Sequence, residues 1–152
     1  MITIALESPR EPDSIEMLDR SCAYIRDLYP ADRHHTYHLD ELEDDGLFFL
    51  MRHERQIIGC GAIVRRSWNE VEFKHIFIDE AVRGLGFGRT LLAHMEAETL
   101  YRGVQRMILE TGNKQPAAYG LYKRCGYREC LPYVAKPLRH AIFMEKFLPP
   151  RP

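Results

Sequence analysis

The stretch VEFKHIFIDEAVRGLGFGR, residues 71–89, decides the fold because it joins a strand to a helix through a glycine-rich loop. Residues 71–78 have the two-residue period of a strand, so simple alternation divides them between two faces. One face carries Val71, Phe73, His75 and Phe77, and the other carries Glu72, Lys74, Ile76 and Ile78. An amphipathic helix is predicted over about residues 89–101, with Gly103 at its end.

The loop itself predicts a phosphate-binding site; it reads Arg83-Gly84-Leu85-Gly86-Phe87-Gly88-Arg89. At the start of a helix, unpaired backbone N–H groups converge with the positive end of the helix dipole. Glycines let the backbone approach an anion closely, and the two arginines add charged donors. The alternative is a glycine turn without a ligand, but alternating glycines lower stability unless something requires them.

Two common phosphate-binding motifs do not fit this loop. The dinucleotide fingerprint G-x-G-x-x-G, started at Gly84, requires a third glycine where the chain has Arg89. The loop G-x-x-x-x-G-K-[ST] requires Gly-Lys-Ser or Gly-Lys-Thr, and the chain contains neither. The sequence therefore disfavours NAD and excludes ATP bound through that motif.

The flanking segments predict a mixed α/β sheet with helices between its strands. The first long helix is capped by Asp13 or Ser14 and ended by Pro30, and the last begins near Pro116 and is ended by Gly126. A short helix is predicted within residues 31–45. The other predicted strands are 2–6, a hairpin of 47–52 and 56–64 around His53-Glu54-Arg55, 107–110, about 127–133, and about 140–148.

Length and composition set limits on the class of protein. The 152 residues predict a single domain, 1–152. A net charge of −1 gives no positive field for nucleic acid, and the apolar runs are far shorter than the ~20 residues that span a bilayer. No signal peptide is apparent, and the four cysteines form no C-x-x-C pair. We therefore expect a cytoplasmic protein with reduced thiols that binds neither nucleic acid nor membrane.

These motifs resemble those of the GNAT family of N-acetyltransferases over nearly the whole chain. Arg83-x-x-Gly86-x-Gly88 is similar to the R/Q-x-x-G-x-G/A motif that holds the pyrophosphate of acetyl-coenzyme A. Residues 76–80 resemble the family's fourth strand, and Ala118-x-x-Leu121-Tyr122-x-x-x-Gly126-Tyr127 resembles its A-x-x-L-Y-x-x-x-G-F helix. The resemblance implies a three-layer fold whose central, mostly antiparallel sheet splays between strands 4 and 5.

The resemblance also implies acetyl-coenzyme A as co-substrate. Gln115 stands where the family often has asparagine and keeps a side-chain amide, and Glu80 stands where the family usually has proline. The residues expected to bind the co-substrate are Ile76, Phe77, Ile78, Arg83, Gly84, Leu85, Gly86, Phe87, Gly88, Arg89, Gln115 and Tyr122.

Acetyl transfer to an amine needs an uncharged nucleophile and a proton for the departing thiolate. Tyr122 matches the family's general acid, although its spacing alone would make it a core residue of its helix. Glu72 resembles the catalytic glutamate of histone-modifying members and would act directly or through water. The alternative for Glu72 is a solvent-facing carboxylate paired with Lys74, and His75, on the opposite face by alternation, is a weaker base candidate.

In the family's topology the segment after the first helix walls the acceptor site, so we expect substrate contacts from Tyr29, His34, His35 and His38. The three histidines have spacings that suit a metal on a helix, but no matching Cys or His set stands elsewhere in the sequence. We expect no metal, and we expect Cys125 to be a core residue rather than a nucleophile.

The sequence thus favours an enzyme that transfers acetyl from acetyl-coenzyme A directly to a primary amine of a small molecule or peptide, as a monomer or homodimer. Two alternatives stay open. One is a non-catalytic acyl-coenzyme A-binding regulator, and the other is a GNAT-fold enzyme that uses a different, longer acyl donor.

Overall fold

The computed structural model describes residues 1–31 and 35–149, in which helices and strands follow the predicted order. A 3₁₀ turn, Glu80–Val82, precedes the glycine loop. The elements are β1 (Ile2–Leu6), α1 (Pro12–Leu28), α2 (Leu39–Asp44), β2 (Gly46–His53), β3 (Gln56–Ser67), β4 (Glu70–Ile78), α3 (Phe87–Tyr101), β5 (Arg106–Gly112), α4 (Pro116–Arg124), β6 (Arg128–Glu129) and β7 (Ala141–Phe147).

The strands of the described residues form one sheet in the order β1-β2-β3-β4-β5-β7-β6. Adjacent strands of this sheet run antiparallel, except for β4 and β5, which are parallel. The helices α1 and α2 pack on one face and α3 and α4 on the other, which gives three layers. The predicted mixed α/β architecture is confirmed. No helix of the described residues combines the length and apolar content needed to cross a bilayer.

The two parallel strands separate halfway along their length. Pairing of β4 with β5 runs from Glu70, opposite Arg106, to Phe73, opposite Leu109. Beyond that point β4 stays paired with β3 as far as Ile78, and β5 stays paired with β7 as far as Gly112. A gap therefore opens between β4 and β5 while each strand keeps its other partner, which confirms the predicted splay.

A β-bulge interrupts β4 where the splay begins. The register with β3 shifts between Cys60 and Ala62, and His75 has a φ of +55° in the left-handed region. The extra residue reverses the alternation, so Ile76 and Ile78 join Val71 and Phe73 in the core beneath α3 and α4, while Phe77 belongs to the core beneath α1 and α2. The predicted faces were therefore wrong after Lys74.

Several element ends also differ from the prediction. The N-cap of α1 is Glu11, followed by Pro12 in the first turn, and the Ser14 hydroxyl instead donates to the carbonyl of Ser8 at 2.8 Å. The third helix begins two residues early, at Phe87. The strand expected over residues 127–133 is reduced to Arg128–Glu129. Gly126, with a φ of +95°, ends α4 as predicted.

Candidate active site

The glycine loop presents open backbone at the start of α3. Gly84 and Gly86 have φ values of +81° and +87°, and a Cβ added at either would meet nothing within 4 Å. These two glycines therefore supply the backbone conformation and leave open space for a bound group. Gly88 differs, because its Cβ would lie 3.0 Å from Leu121 Cδ2. Its absent side chain lets α3 approach α4.

Arg83 fastens the loop to the end of β4. Its Nε donates to the carbonyl of Ile78 at 2.8 Å, and its guanidinium lies 4.4 Å from the ring centroid of Tyr24 and 5.4 Å from that of Phe77. The neighbouring Leu85 and Arg89 are exposed. The loop thus places two exposed arginines, of which Arg83 is hydrogen-bonded to the end of β4, beside unpaired helix N–H groups. These groups are suitable donors for a phosphate.

Tyr122 lies on α4 with its ring in the core between that helix and the sheet. Only 6% of the residue is exposed, and its ring meets Tyr127 edge-on with centroids 5.8 Å apart. The described residues give its hydroxyl no hydrogen-bond partner. Burial raises the pKa of Tyr122, so the phenol keeps its proton at neutral pH.

Glu72 is held by two side chains that sequence reasoning did not connect to it. Arg66 donates to Oε1 through Nε at 2.9 Å and Nη2 at 2.6 Å, and the Tyr133 hydroxyl donates to Oε2 at 3.1 Å. The alternative of a solvent-facing carboxylate paired with Lys74 was wrong. Glu72 is only 9% exposed, and Lys74 pairs instead with Glu41 of α2 at 3.0 Å.

Tyr133 is a partner of Glu72 that sequence reasoning could not find. It stands in the segment between β6 and β7, 61 residues from Glu72, and its ring packs edge-on against Phe143 at 4.9 Å. Burial, with the nearby Glu72 carboxylate, raises the pKa of Tyr133. Neither a motif nor a helical spacing relates these two positions, so only the fold brings them together.

The residues expected to wall the acceptor site lie in different surroundings. Tyr29 is buried: its hydroxyl accepts from the Lys114 backbone N–H at 2.9 Å, and its ring stacks on His140 at 3.8 Å. It therefore ties the end of α1 to the β5–α4 connection. His38 is exposed just before α2. His34 lies outside the described residues.

His75 occupies the bulge and faces the α1–α2 layer, which corrects its predicted position on the face opposite Glu72. Its ring lies 6.1 Å from that of His35 and 6.3 Å from that of Tyr37, in both cases edge-on. The Nδ1 atom is buried without a hydrogen-bond partner among the described residues. Burial lowers the pKa of His75 to about 3, so the imidazole is neutral at physiological pH.

The remaining predicted positions are less constrained. Gln115 is half-buried at the N-cap of α4, where its carbonyl accepts from the Tyr119 N–H at 3.0 Å. Cys125 is half-buried against the core beneath α3 and α4. Ile76 and Ile78 line the unpaired half of β4 on the same side as the glycine loop's helix.

A parallel strand pair that splays beside an open, glycine-lined helix start defines a class of acyl-coenzyme A-dependent transferases, and comparison with known proteins identifies the family. The sequence profile of the acetyltransferase (GNAT) family matches residues 8–127. The chain is 34% identical over 150 residues to an IAA acetyltransferase of Azospirillum brasilense, covering 95% of this chain and 97% of that protein. The chain therefore belongs to the GNAT family.

Solved structures agree with this assignment. A chain from Klebsiella pneumoniae described as an acyl-CoA N-acyltransferase superposes with a TM-score of 0.81 at 31% identity, over 97% of this chain and 98% of that one. A GNAT family acetyltransferase from Elizabethkingia anophelis, solved with acetyl-CoA bound, superposes with a TM-score of 0.70 at 21% identity, over 97% and 98% of the two chains. The second likeness supports the fold alone.

Proposed function

We propose that this protein transfers acetyl from acetyl-coenzyme A directly to a primary amine of a small molecule or peptide. The observation that carries the proposal is the splay after Phe73 and Leu109 beside the open glycine loop, in a chain of the GNAT family. We propose further that it acts in the cytoplasm as a monomer or homodimer, without nucleic acid or membrane. A net charge of −1 supports a diffusible acceptor.

The glycine loop fits the pyrophosphate of the co-substrate. A side chain at Gly86 would fill space that is open in the structure, and the first N–H groups of α3 point out of the helix start. Arg89 adds a mobile charge, whereas Arg83 holds the loop to β4. Residues 76–78 stay paired with β3 but not with β5, so the β5 side of their backbone offers N–H and C=O groups to the pantetheine chain. Gln115 adds a polar group at the start of α4.

Tyr122 is proposed to protonate the departing thiolate. A coenzyme A thiol resembles cysteine, with a pKa of about 8.5, so a protonated phenol beside the sulfur favours its departure. The raised pKa of Tyr122 keeps that proton available, and the ring is held by Tyr127.

Glu72 is proposed to accept the amine proton, directly or through a water molecule. Its carboxylate offers about four acceptor positions, of which Arg66 and Tyr133 use three, so Oε2 keeps one. The same partners fix the carboxylate in one orientation.

The test is thiol release from acetyl-coenzyme A with a panel of amines, and with IAA because a relative carries that name. The product should gain the mass of one acetyl group, and its fragmentation should place that group on the nitrogen. Release with a longer acyl donor and none with acetyl-coenzyme A would favour the other acyl-transfer enzyme. Tight binding of acetyl-coenzyme A without turnover on any acceptor would replace the proposal with the non-catalytic regulator.

A further inference from the structure

We propose that Cys22, His35 and His75 form a binding site for a borderline-soft divalent cation of the zinc class. One ligand atom from each residue lies within 4.8 Å of the others. These residues are far apart in sequence and share no spacing motif, because Cys22 is on α1, His35 follows that helix, and His75 is in the bulge of β4. The proposed acetyl transfer does not require a metal at this site.

The distances suit a metal after a small contraction. Zinc bonds of about 2.3 Å to sulfur and about 2.0–2.1 Å to imidazole place tetrahedral ligand atoms about 3.3–3.6 Å apart. The three ligand atoms therefore need to close by up to about 1.5 Å. His35 is half-buried and on a connecting segment, so its side chain is able to make that adjustment.

Hydrogen bonds hold the segments that carry His35 and His75 in place. Arg26, one helical turn after Cys22, donates from Nη1 to the His35 carbonyl at 3.0 Å, which brings that segment back to α1. The Cys60 thiol donates to the His75 carbonyl at 3.2 Å and fixes the bulge. The ring of Tyr37 packs against His75, and its hydroxyl donates to Asp19 Oδ1 at 2.6 Å.

An independent observation points to a missing partner at this place. His75 Nδ1 is sealed from solvent and has no hydrogen-bond partner within the described chain. Buried polar atoms are normally paired, since an unpaired one costs about 1–3 kcal/mol. A cation bound to Nδ1 would give this atom the partner that it lacks.

The chemistry of the three groups selects the ion. Thiolate and imidazole ligands suit zinc and cobalt, whereas magnesium and calcium prefer oxygen. Binding replaces the Cys22 thiol proton, so one proton leaves to solvent for each ion bound. Three protein ligands leave one tetrahedral position for an exchangeable ligand such as water.

The experiment titrates the reduced, untagged chain with cobalt(II) and reads the thiolate-to-cobalt charge-transfer band and the visible bands of tetrahedral cobalt. We expect one equivalent to bind and zinc to displace it. Cys22→Ala and His35→Ala should each remove the charge-transfer band or weaken cobalt binding by at least about tenfold. The matched controls are Cys130→Ala, a half-buried cysteine outside the cluster, and His38→Ala, an exposed histidine of the same segment. Both should bind cobalt as the wild type does.

Circular dichroism without metal separates loss of ligand from loss of fold, and His35→Ala is the decisive variant because its side chain is the least buried of the three. Substoichiometric binding by the wild type, or equal binding by the His35 and His38 variants, overturns the site. Neither readout depends on turnover, so the proposed acetyl transfer can fail while the metal site stands, and the reverse.

Discussion

Replacing Tyr122 with phenylalanine separates catalysis from packing. Phenylalanine keeps the buried ring and its edge-on contact with Tyr127 and removes a hydroxyl that has no hydrogen-bond partner among the described residues. The free energy of unfolding should therefore change by less than about 1 kcal/mol. General acid catalysis contributes about 10²–10⁴-fold, so kcat should fall by that factor, equivalent to about 2.7–5.4 kcal/mol of barrier. The KM for acetyl-coenzyme A should stay nearly constant.

The matched control is Tyr127→Phe, which removes a hydroxyl from the neighbouring buried tyrosine. That hydroxyl donates to Glu96 at 2.7 Å, and Lys146 holds the other oxygen of Glu96 at 2.8 Å. Losing a hydrogen bond to a charged group should lower the free energy of unfolding by about 1.5–3 kcal/mol while leaving kcat unchanged. Steady-state kinetics and urea denaturation of both variants give the comparison. Full activity in Tyr122→Phe, or an equal loss of kcat in both variants, refutes the assignment of Tyr122 as the acid.

Three other predictions follow from the same geometry. Gly86→Ala should weaken acetyl-coenzyme A binding at least about tenfold by calorimetry, because the added methyl faces the phosphate site. The control is Gly103→Ala at the end of α3, since Gly103 also lies in open space and its φ of +81° is close to the +87° of Gly86; it should show a similar strain of about 1 kcal/mol with unchanged affinity. Glu72→Gln should lower kcat/KM by about 10²–10⁴-fold. The control is Glu70→Gln, two residues earlier on the same strand and paired with Arg106, which should keep kcat/KM unchanged. Equal activity of the two variants would show that Glu72 has a structural role only. Burial raises the pKa of Tyr122, so the phenol should stay protonated over the pH range of the assay. We therefore expect kcat to rise as the acceptor amine loses its proton and to show no decline up to about pH 10. A decline of kcat near pH 8–9 that disappears in Tyr122→Phe would contradict the direction of this shift.

The sequence predicted the fold well where local chemistry sets the structure. Pro116 starts α4 and Gly126 ends it, since each restricts or frees the backbone at its own position. The turn between β2 and β3 is set by Glu54 and Arg55, both with positive φ, which suits a two-residue hairpin. Such features depend on neighbouring residues only.

The wrong predictions concern positions whose conformation or burial depends on residues that are distant in sequence. Alternation could not reveal the bulge, because His75 adopts its left-handed conformation through pairing with β3, a strand that is remote in sequence. Strand position alone also allowed Glu72 to be an exposed carboxylate, because the sequence does not show that Arg66 and Tyr133 bind it. The candidate metal site combines both causes, since the bulge turns His75 towards Cys22 and His35.

The bulge gives the two halves of β4 different tolerances to change. Before it, residues are clamped between β3 and β5, so a substitution there should be selected mainly for its effect on folding. After it, β5 no longer pairs with the strand, so one side of its backbone is open to a bound molecule, although Ile76, Phe77 and Ile78 still pack in the two cores. Substitutions at residues 76–78 should therefore lower the affinity for acetyl-coenzyme A as well as stability, whereas substitutions at Val71 and Phe73 should lower stability alone.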